Sequence, residues 1–198
     1  MTDLSMRDRV AVKVVTDESQ ARLISDPMRR EMLRLLSRRA LTEKELSKMI
    51  GLSPPSIGHH LKALTEGDLI SKTRSEAGEH GIVQKWYIAT AQAFIVDREH
   101  LPNDVRRYFM PIDIERARAV AACLSLIRDR VSPSTRNMET LTHQVCRAIC
   151  KTAEKYRGPM EDDPEKIIHQ IYSQALRDTE SANSTLKPLL KPIEVSIA

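Results

Sequence analysis

The side chains best suited to chemistry lie on one face of a short predicted helix, residues 53–64. With Ile57 set inward and about 100° of rotation per residue, the outward positions are Pro55, Ser56, His59, Lys62 and Ala63. A hydroxyl and an imidazole can hydrogen-bond to base edges or phosphates, and an ammonium can pair with a phosphate. Small residues let the helix come close to its target. This face predicts contact with a nucleic acid; an ordinary solvated helix surface is the alternative.

Two helices and a tight turn must position this face. Thr42 and Glu45 have the spacing of a capping box, and Gly51 stands where a helix ends on a residue of positive φ. Ser53 then caps the second helix, with Pro54 in its first turn. The residues expected to point inward are Leu46, Met49 and Ile50, then Ile57, Leu61 and Leu64. The pattern is typical of a helix-turn-helix, whose second helix can enter a DNA major groove.

Two further residues of the second helix are candidate DNA contacts. Ser53, at its first end, carries a hydroxyl that can reach a phosphate. His60 lies nearer the inward stripe, so it either packs against the core or contacts a phosphate. We include both with the outward residues of this helix.

A β-hairpin is predicted directly after the second helix. Residues 69–74 mix apolar and polar side chains as a short strand does, and residues 75–81 hold two glycines and no large apolar group. Residues 82–88 are strongly β-prone, with Trp86 and Tyr87 expected to pack rather than to stack on bases. A hairpin that follows a helix-turn-helix is a wing.

Three basic residues of the wing are candidate DNA contacts. Arg74, His80 and Lys85 are placed to touch the DNA backbone or a minor groove. Glu76 and Glu79, near the tip, oppose such contact by charge. The second helix is therefore the better candidate for contact with bases.

Together these elements resemble the winged-helix regulators of the arsenic-repressor (ArsR) type. Residues 25–36 begin with Ser-Asp-Pro and run into Arg and Leu repeats, which is similar to the family's opening helix. Residues 52–64 are similar to its recognition helix. The resemblance covers residues 25–88, about a third of the chain. It implies a homodimer that binds a short inverted repeat in double-stranded DNA and often represses by blocking the promoter.

The metal sites of that family have no counterpart here. Metal-sensing members often carry a Cys-x-Cys pair in the helix before the recognition helix, and residues 42–50 contain neither Cys nor His. A terminal helix with paired Asp, His and Glu is not matched either. The resemblance thus supports DNA binding without a known metal-sensing site, and we expect no cofactor. The chain also continues for more than a hundred residues beyond the wing.

One cluster of metal-ligating residue types occurs in a later predicted helix, residues 135–156. His143, Cys146 and Cys150 share one side of it, nearly opposite its main apolar stripe. We expect the thiols to be small apolar groups on a second buried face. Two alternatives remain: zinc binding with a fourth ligand from elsewhere, and oxidant sensing. The spacing is not a dedicated zinc signature, so we assign no metal site.

Composition and charge narrow the class of protein. The 198 residues carry a net charge of +4, and residues 26–88 hold 11 Lys and Arg against 8 Asp and Glu. Most of the positive excess thus lies in the proposed DNA-binding module, as phosphate neutralisation requires. Three cysteines, an odd number, favour a reducing compartment, and neither a membrane span nor a signal peptide is evident. We therefore expect a cytoplasmic protein that is not an enzyme, since no catalytic motif is present.

The predicted fold is mainly α with a small β-wing. Residues 1–98 form a winged helix-turn-helix domain, and residues 99–198 form a helical region for dimerisation and effector response. A short strand is expected at residues 10–15, and residues 90–96 continue from the wing strand. Three helices follow, at residues 112–130, 135–156 and 164–179. Their predicted apolar stripes are Ala119, Cys123, Leu126 and Ile127; Met138, Leu141, Val145, Ile149 and Tyr156; Ile167, Ile168, Ile171, Tyr172, Ala175 and Leu176.

The function expected from these features is sequence-specific binding of double-stranded DNA by a homodimeric transcription regulator, a repressor acting on an inverted repeat. The alternatives are a winged helix that binds another protein and one that binds RNA. Any effector is an unidentified small molecule, or, in the alternative mode, an oxidant or metal acting through Cys146 and Cys150.

Overall fold

A computed structural model describes residues 9–77, 83–127 and 135–182. The elements in chain order are β1 (Val10–Val15), α1 (Glu18–Ser25), α2 (Pro27–Leu36), β2 (Leu41–Thr42), α3 (Glu43–Ile50), α4 (Pro54–Glu66), β3 (Ile70–Ala77), β4 (Val83–Ala89), β5 (Ala91–Val96), α5 (Asn103–Arg106), α6 (Met110–Ile127), α7 (Thr135–Lys155) and α8 (Pro164–Ala182). The predicted class, mainly α with a small β-wing, is confirmed.

The helix-turn-helix forms because its capping residues end and restart the backbone at defined points. The Thr42 side chain accepts from the Glu45 N–H, and the Glu45 carboxylate accepts from the Thr42 N–H at 2.8 Å, which completes the predicted capping box. α3 ends at Gly51, whose φ of 79° is a left-handed conformation that suits glycine. Ser53 caps α4 and Pro54 occupies its first turn, as predicted.

The inner stripes of these two helices agree with the prediction except at one residue. Ile57, Leu61 and Leu64 of α4 are buried, as is Leu46 of α3. Met49 was predicted to point inward, and this is wrong: it is 52% exposed. Leu46 and Ile50, one helical turn apart, already fill the side of α3 that faces the core. Met49 lies to one side of these two residues and is not covered.

The wing is a three-stranded antiparallel sheet in the order β2-β4-β3. β4 pairs Tyr87 with Leu41 on one side and with Lys72 on the other, so the short strand before α3 anchors the hairpin to the helix-turn-helix. The register shifts between Lys72 and Arg74, which indicates a β-bulge there. Part of the predicted hairpin turn, residues 78–82, lies outside the described residues.

A second, two-stranded sheet corrects the expectation for residues 90–96. These residues do not prolong the wing strand: β4 ends at Ala89, and β5 leaves the wing sheet to pair in parallel with β1. The predicted strand at residues 10–15 is confirmed as β1. Apart from Lys13 and Gln92, both strands are apolar on both faces, which is usual for strands covered on two sides.

Two hydrophobic cores hold the described residues together. The first core lies under the helix-turn-helix, and its largest members include Met32, Leu36, Leu46, Ile57, Leu61 and Leu64. The second core lies between α6, α7 and α8, and its members include Ala117, Leu141, Val145, Ile149, Ile167 and Ile171. The stripes predicted for the last two helices are thereby confirmed, with their remaining members partly buried against the same core.

The stripe predicted for the helix that became α6 is wrong at Ala119 and Cys123, whereas the side chains of Leu126 and Ile127 lie outside the described residues. Ala119 and Cys123 are exposed, whereas Asp113, Ala117 and Ala121 are buried. The first half of α6 carries Asp113, Glu115, Arg116 and Arg118 around the helix, and the second half is small and apolar, so periodicity does not single out one face. One side packs in the second core, and the side with Ala119, Ala122 and Cys123 is exposed. Over the described residues, the structure has no helix long and apolar enough to cross a membrane.

Candidate nucleic-acid interface

The outward face of α4 has the residue types that contact DNA. Pro55, Ser56, His59 and Lys62 are all exposed and stand opposite the buried stripe of the same helix. We call these four residues the α4 face. It presents a pyrrolidine ring, a hydroxyl, an imidazole and an ammonium along about two turns. This combination can make apolar contacts, hydrogen bonds and one phosphate pair within reach of a groove.

The first turn of α4 offers side chains rather than backbone donors. Pro54 and Pro55 have no N–H, and the Ser56 N–H points to the Ser53 hydroxyl at 3.4 Å. The Ser53 and Ser56 hydroxyls are 3.0 Å apart. Because each hydroxyl can both donate and accept, the two hydroxyls can still form one hydrogen bond with a group outside the protein. Both serines are exposed, as the predicted contact requires.

The two adjacent histidines occupy different environments. His59 is exposed, whereas His60 is half-buried, and its Nδ1 is inside the protein without a hydrogen-bond partner. Their ring centroids are 5.9 Å apart in an edge-on arrangement. His60 thus packs beside the α4 face, and His59 is the imidazole free to reach a base edge.

Lys62 is the exposed cation of the α4 face. Its side chain is 75% exposed, and Nζ lies 3.9 Å from a carboxylate oxygen of Glu66, which is 67% exposed. An exposed pair of this kind holds its members weakly. Lys62 can therefore exchange Glu66 for a phosphate at little cost.

The basic residues of the wing differ in whether they already have partners within the protein. The Arg74 guanidinium lies 4.2 Å from the centre of the half-buried Trp86 ring and 3.4 Å from Glu76, so it is already engaged. Lys85 is exposed opposite Ser75. His80, also predicted to contact DNA, lies outside the described residues. The wing thus offers Lys85 as its freer predicted cation.

One exposed cation of the wing was missed from the sequence. Lys72 of β3 is exposed one strand position before the bulge, beside the predicted Arg74. The sequence indicates Lys72 through the alternation of side chains along a strand: Lys72 and Arg74 are two residues apart and are therefore expected on the same face. The bulge at Thr73 alters that alternation and could not be predicted from the sequence.

Several basic residues of the module already have partners within the protein. Arg29 and Arg30 donate to the backbone carbonyls of Leu23 and Ser25, at 2.7 Å each, and so fasten α2 to the end of α1. Arg34 pairs with Glu31 at 2.6 Å. The net positive charge counted over residues 26–88 is therefore larger than the charge that is available to phosphates. The exposed lysines carry most of the available charge.

The cluster of His143, Cys146 and Cys150 is part of a cavity wall and not of the α4 face. Cys150 is buried and its Sγ lies 3.6 Å from the Val96 carbonyl, while His143 is exposed. Burial raises the pKa of the Cys146 thiol to about 11 and that of Cys150 to about 12. Within the described part of the chain, no group of three or more His, Cys, Asp or Glu is arranged to hold a metal ion.

A helix-turn-helix followed by an antiparallel hairpin, with a basic and polar outer face on its second helix, defines a winged helix-turn-helix. Residues 26–72 match the family described as bacterial regulatory protein, arsR family. The match runs from the opening residues of α2 through α3 and α4 into β3. The resemblance predicted from the sequence is confirmed over this segment.

Known proteins similar to this chain include a curated relative and a solved structure. The transcriptional repressor SdpR of Bacillus subtilis (strain 168) is 41% identical over 51 residues, which cover 26% of this chain and 57% of that protein. The chain thus spans little more than half the length of this curated relative. A crystal structure of Bacillus subtilis PadR in complex with operator DNA matches over 83% of this chain and 98% of its own, at 14% identity and a TM-score of 0.31. That TM-score is too low to support a shared mode of action.

Proposed function

We propose that the protein is a transcription regulator that binds double-stranded DNA sequence-specifically, acts as a homodimer on an inverted repeat, and represses. One observation carries the proposal: the α4 face is exposed, polar and basic above a fully buried stripe, inside a segment that matches the arsR family. The name of the relative SdpR, a transcriptional repressor, supports the sign of regulation. This function requires no catalytic residue and no cofactor.

The residue types of α4 favour DNA over a protein partner. Its exposed positions are Pro54, Pro55, Ser56, His59, Lys62, Thr65 and Glu66, among which no large apolar side chain occurs. A protein-docking helix would present large apolar groups at these positions. A helix of small and polar residues suits the major groove, which admits a helix and presents hydrogen-bonding base edges.

The homodimer is supported by the open side of α6. Ala119, Ala122 and Cys123, which are uncharged, are exposed on one side of the second half of α6. A second copy can cover that side. Dimerisation also has a functional reason, because two heads about one DNA turn, roughly 34 Å, apart read two half-sites.

The experiment that tests sequence-specific binding uses His59 as the probe. Bound fragments are first selected from the source genome, and affinities for a selected site and a scrambled duplex are then measured by fluorescence anisotropy. His59→Ala should weaken the selected site by about 1–3 kcal/mol and the scrambled duplex less, because a base contact is lost. His169→Ala, an exposed histidine of α8, is the matched control and should change neither.

Two results would contradict the proposal. The first is a genomic selection that enriches no sequence. The second is a mass near 22.5 kDa, that of one chain, for the protein bound to its selected site, measured by analytical ultracentrifugation after subtraction of the DNA. The expected protein mass in the complex is twice that value.

A further inference from the structure

A cavity of about 340 Å³ lies between the end of β5 and the helices α5, α6 and α7. The residues that follow β5 contribute Arg98, α5 contributes Arg106, α6 contributes Met110 and Ile114, and α7 contributes Cys146. The volume is at the small end of the range of about 300–1,000 Å³ that is usual for small-molecule sites. It suits a ligand of modest size.

Part of the wall is formed by apolar and thiol side chains. Met110 and Ile114 present apolar side chains on one side, and Cys146 and Cys150 present thiols on the other. Both thiols are protonated near neutral pH, because burial raises the pKa of Cys146 to about 11 and that of Cys150 to about 12. These four side chains would therefore contact an apolar part of a ligand.

Most carboxylates of the cavity wall already have a basic partner within the protein. Asp113 is buried and pairs with Arg98 and Arg116. Asp97 lies 2.7 Å from His100, and Glu99 lies 3.5 Å from Arg147. Glu139, the remaining acidic residue of the wall, is exposed.

One guanidinium of the wall, that of Arg106, lacks a carboxylate partner. Arg106 donates through Nη2 to the carbonyls of Glu99 and Leu101, at 3.3 and 3.2 Å, and none of the ion pairs among the described residues includes it. Arg98, by contrast, is already paired with Asp113 and donates to the Cys146 sulfur. A carboxylate is the acceptor that matches the Arg106 guanidinium in charge and geometry.

We propose that this cavity is a binding site for a small organic monocarboxylate, whose carboxylate accepts from Arg106 and whose apolar body lies against Met110, Ile114 and the two thiols. The neutral and acidic groups of the wall disfavour a dianion. Among the carboxylates that the described residues contribute to the wall, Glu139 has no ion-pair partner and Glu99 has an exposed one, and both side chains are at the solvent side.

The position of the cavity gives the ligand a means to act on DNA binding; this step rests on the proposed function. Leu101, Val105 and Phe109, in the chain segment between the wall residues Arg98 and Met110, belong to the first core, whereas α7 belongs to the second. A ligand that fits one arrangement of the two cores better than another shifts their equilibrium. In a dimer, that shift changes the distance between the two α4 faces.

The test of the site uses the full chain without DNA. Isothermal titration calorimetry is run with hexanoate and phenylacetate, with the matched amides hexanamide and phenylacetamide, and with hexylamine. The expected result is saturable binding of one carboxylate per chain, at least about tenfold tighter than its amide, because a charge-assisted bond is lost in the amide. Hydrogen exchange with the bound acid should show protection in residues 97–114 and 139–150. Absence of binding for both acids, equal affinity for acid and amide, or protection elsewhere would each overturn the proposal.

Two substitutions test the named contacts. Arg106→Gln should weaken carboxylate binding roughly tenfold to a hundredfold and leave the amide unchanged. Ile114→Phe should fill the cavity and weaken both. Arg107→Gln, the exposed neighbour that does not line this cavity, is the matched control and should change nothing. Thermal unfolding verifies that each variant is folded. If a variant does not fold, the hydrogen-exchange experiment on the wild type decides where the acid binds.

The regulatory step is measured separately. Affinity for the selected DNA site is determined with and without the bound acid, and by reciprocity the DNA must change the acid's affinity by the same factor. A factor of about five or more in both directions supports an effector site. If the acid binds in the cavity and the DNA affinity of a DNA-binding protein does not change, the effector role is wrong. If the ligand-free protein selects no DNA, the proposed function fails and the calorimetric result on the site stands by itself.

Discussion

Replacement of Lys62 by alanine separates DNA contact from folding. The Lys62 side chain is 75% exposed, and its ion pair with Glu66 spans 3.9 Å in solvent. Such pairs contribute about 0.3–0.5 kcal/mol on a helix. Alanine also has a high helix propensity. The free energy of unfolding should therefore change by no more than about 0.5 kcal/mol, and any larger effect on DNA binding reports a lost contact.

The magnitude of the DNA effect follows from counterion release. Each phosphate contact contributes about 0.9 to the slope of log affinity against log salt, and a dimer brings two copies of Lys62. Lys62→Ala should flatten the slope by about 0.9 for each head, or about 1.8 for a dimer. Over a fourfold rise in salt, this difference changes the affinity ratio of wild type to variant by roughly twelvefold. Cognate and scrambled duplexes should be affected alike, since a phosphate carries no sequence information.

Glu66→Gln is the matched variant. It removes the partner that competes with phosphate for Lys62, and one negative charge beside the α4 face, so affinity for all duplexes should rise. Lys151→Ala, an exposed lysine of α7, is the control and should leave the slope unchanged. Fluorescence anisotropy at several salt concentrations measures all three proteins, and denaturant unfolding verifies their stability.

The reasoning is refuted by one clear outcome. If Lys62→Ala is folded and its salt slope equals that of the wild type, Lys62 meets no phosphate, and α4 does not face DNA as proposed. A loss confined to the cognate site would instead show that Lys62 contacts a base, and its role as a phosphate contact would be wrong.

Three further predictions concern the fold and the cavity. Asp113→Asn should lower the free energy of unfolding by about 3–5 kcal/mol, because it leaves a mostly buried guanidinium without its partner; Glu115→Gln, which breaks an exposed pair on the same helix, should cost about 0–1 kcal/mol in the same urea titration. At pH 8, Cys146 and Cys150 should react with iodoacetamide at least about a hundredfold more slowly in the native protein than in urea, because burial raises their pKa values; comparable rates by mass spectrometry would restore oxidant sensing. Glu45→Gln should lower stability by about 0.5–1 kcal/mol at neutral pH, because hydrogen bonds from the N-cap residue hold the pKa of Glu45 below its ordinary value. That difference should be present above the ordinary pKa and disappear as pH falls through the lowered one; a difference independent of pH would contradict it.

The helix-turn-helix could be predicted because its signals are short-range. The capping box joins residues three apart, and Gly51 and Ser53 act on the backbone beside them. The inward residues of α4 are separated by one helical turn, so periodicity alone identifies them. Met49 was misplaced because an apolar residue at a permissible angle is buried only if a neighbouring element covers it, and α3 is covered on one side only.

The cavity could not be predicted because it depends on contacts between distant residues. Arg98 meets Asp113 across 15 positions and Cys146 across 48. The sequence placed both thiols on one side of α7, away from its main stripe, which is where they lie. What covers that side is the end of β5 and the start of α6, and periodicity within a single helix carries no information about either. α6 shows the same difficulty, because its charged and apolar residues do not separate onto opposite faces, and so the sequence does not reveal which side its neighbours cover.

The two-stranded sheet of β1 and β5 joins the helix-turn-helix to the helical region. Along β5, Phe94 and Val96 pack with the first core, whereas Ala93 and Ile95 pack with the second, as the alternation of a strand requires. An isolated pair of strands is marginally stable in water, so the sheet depends on both cores. The predicted domain boundary, between residues 98 and 99, lies just beyond this sheet. Asp97, two residues before residue 99, still donates its N–H to the Val15 carbonyl of β1. Arg98 then crosses to Asp113 of α6. We therefore expect a change in the packing of α6 or α7 to reach the helix-turn-helix through this sheet and this ion pair, both of which adjoin the proposed ligand cavity.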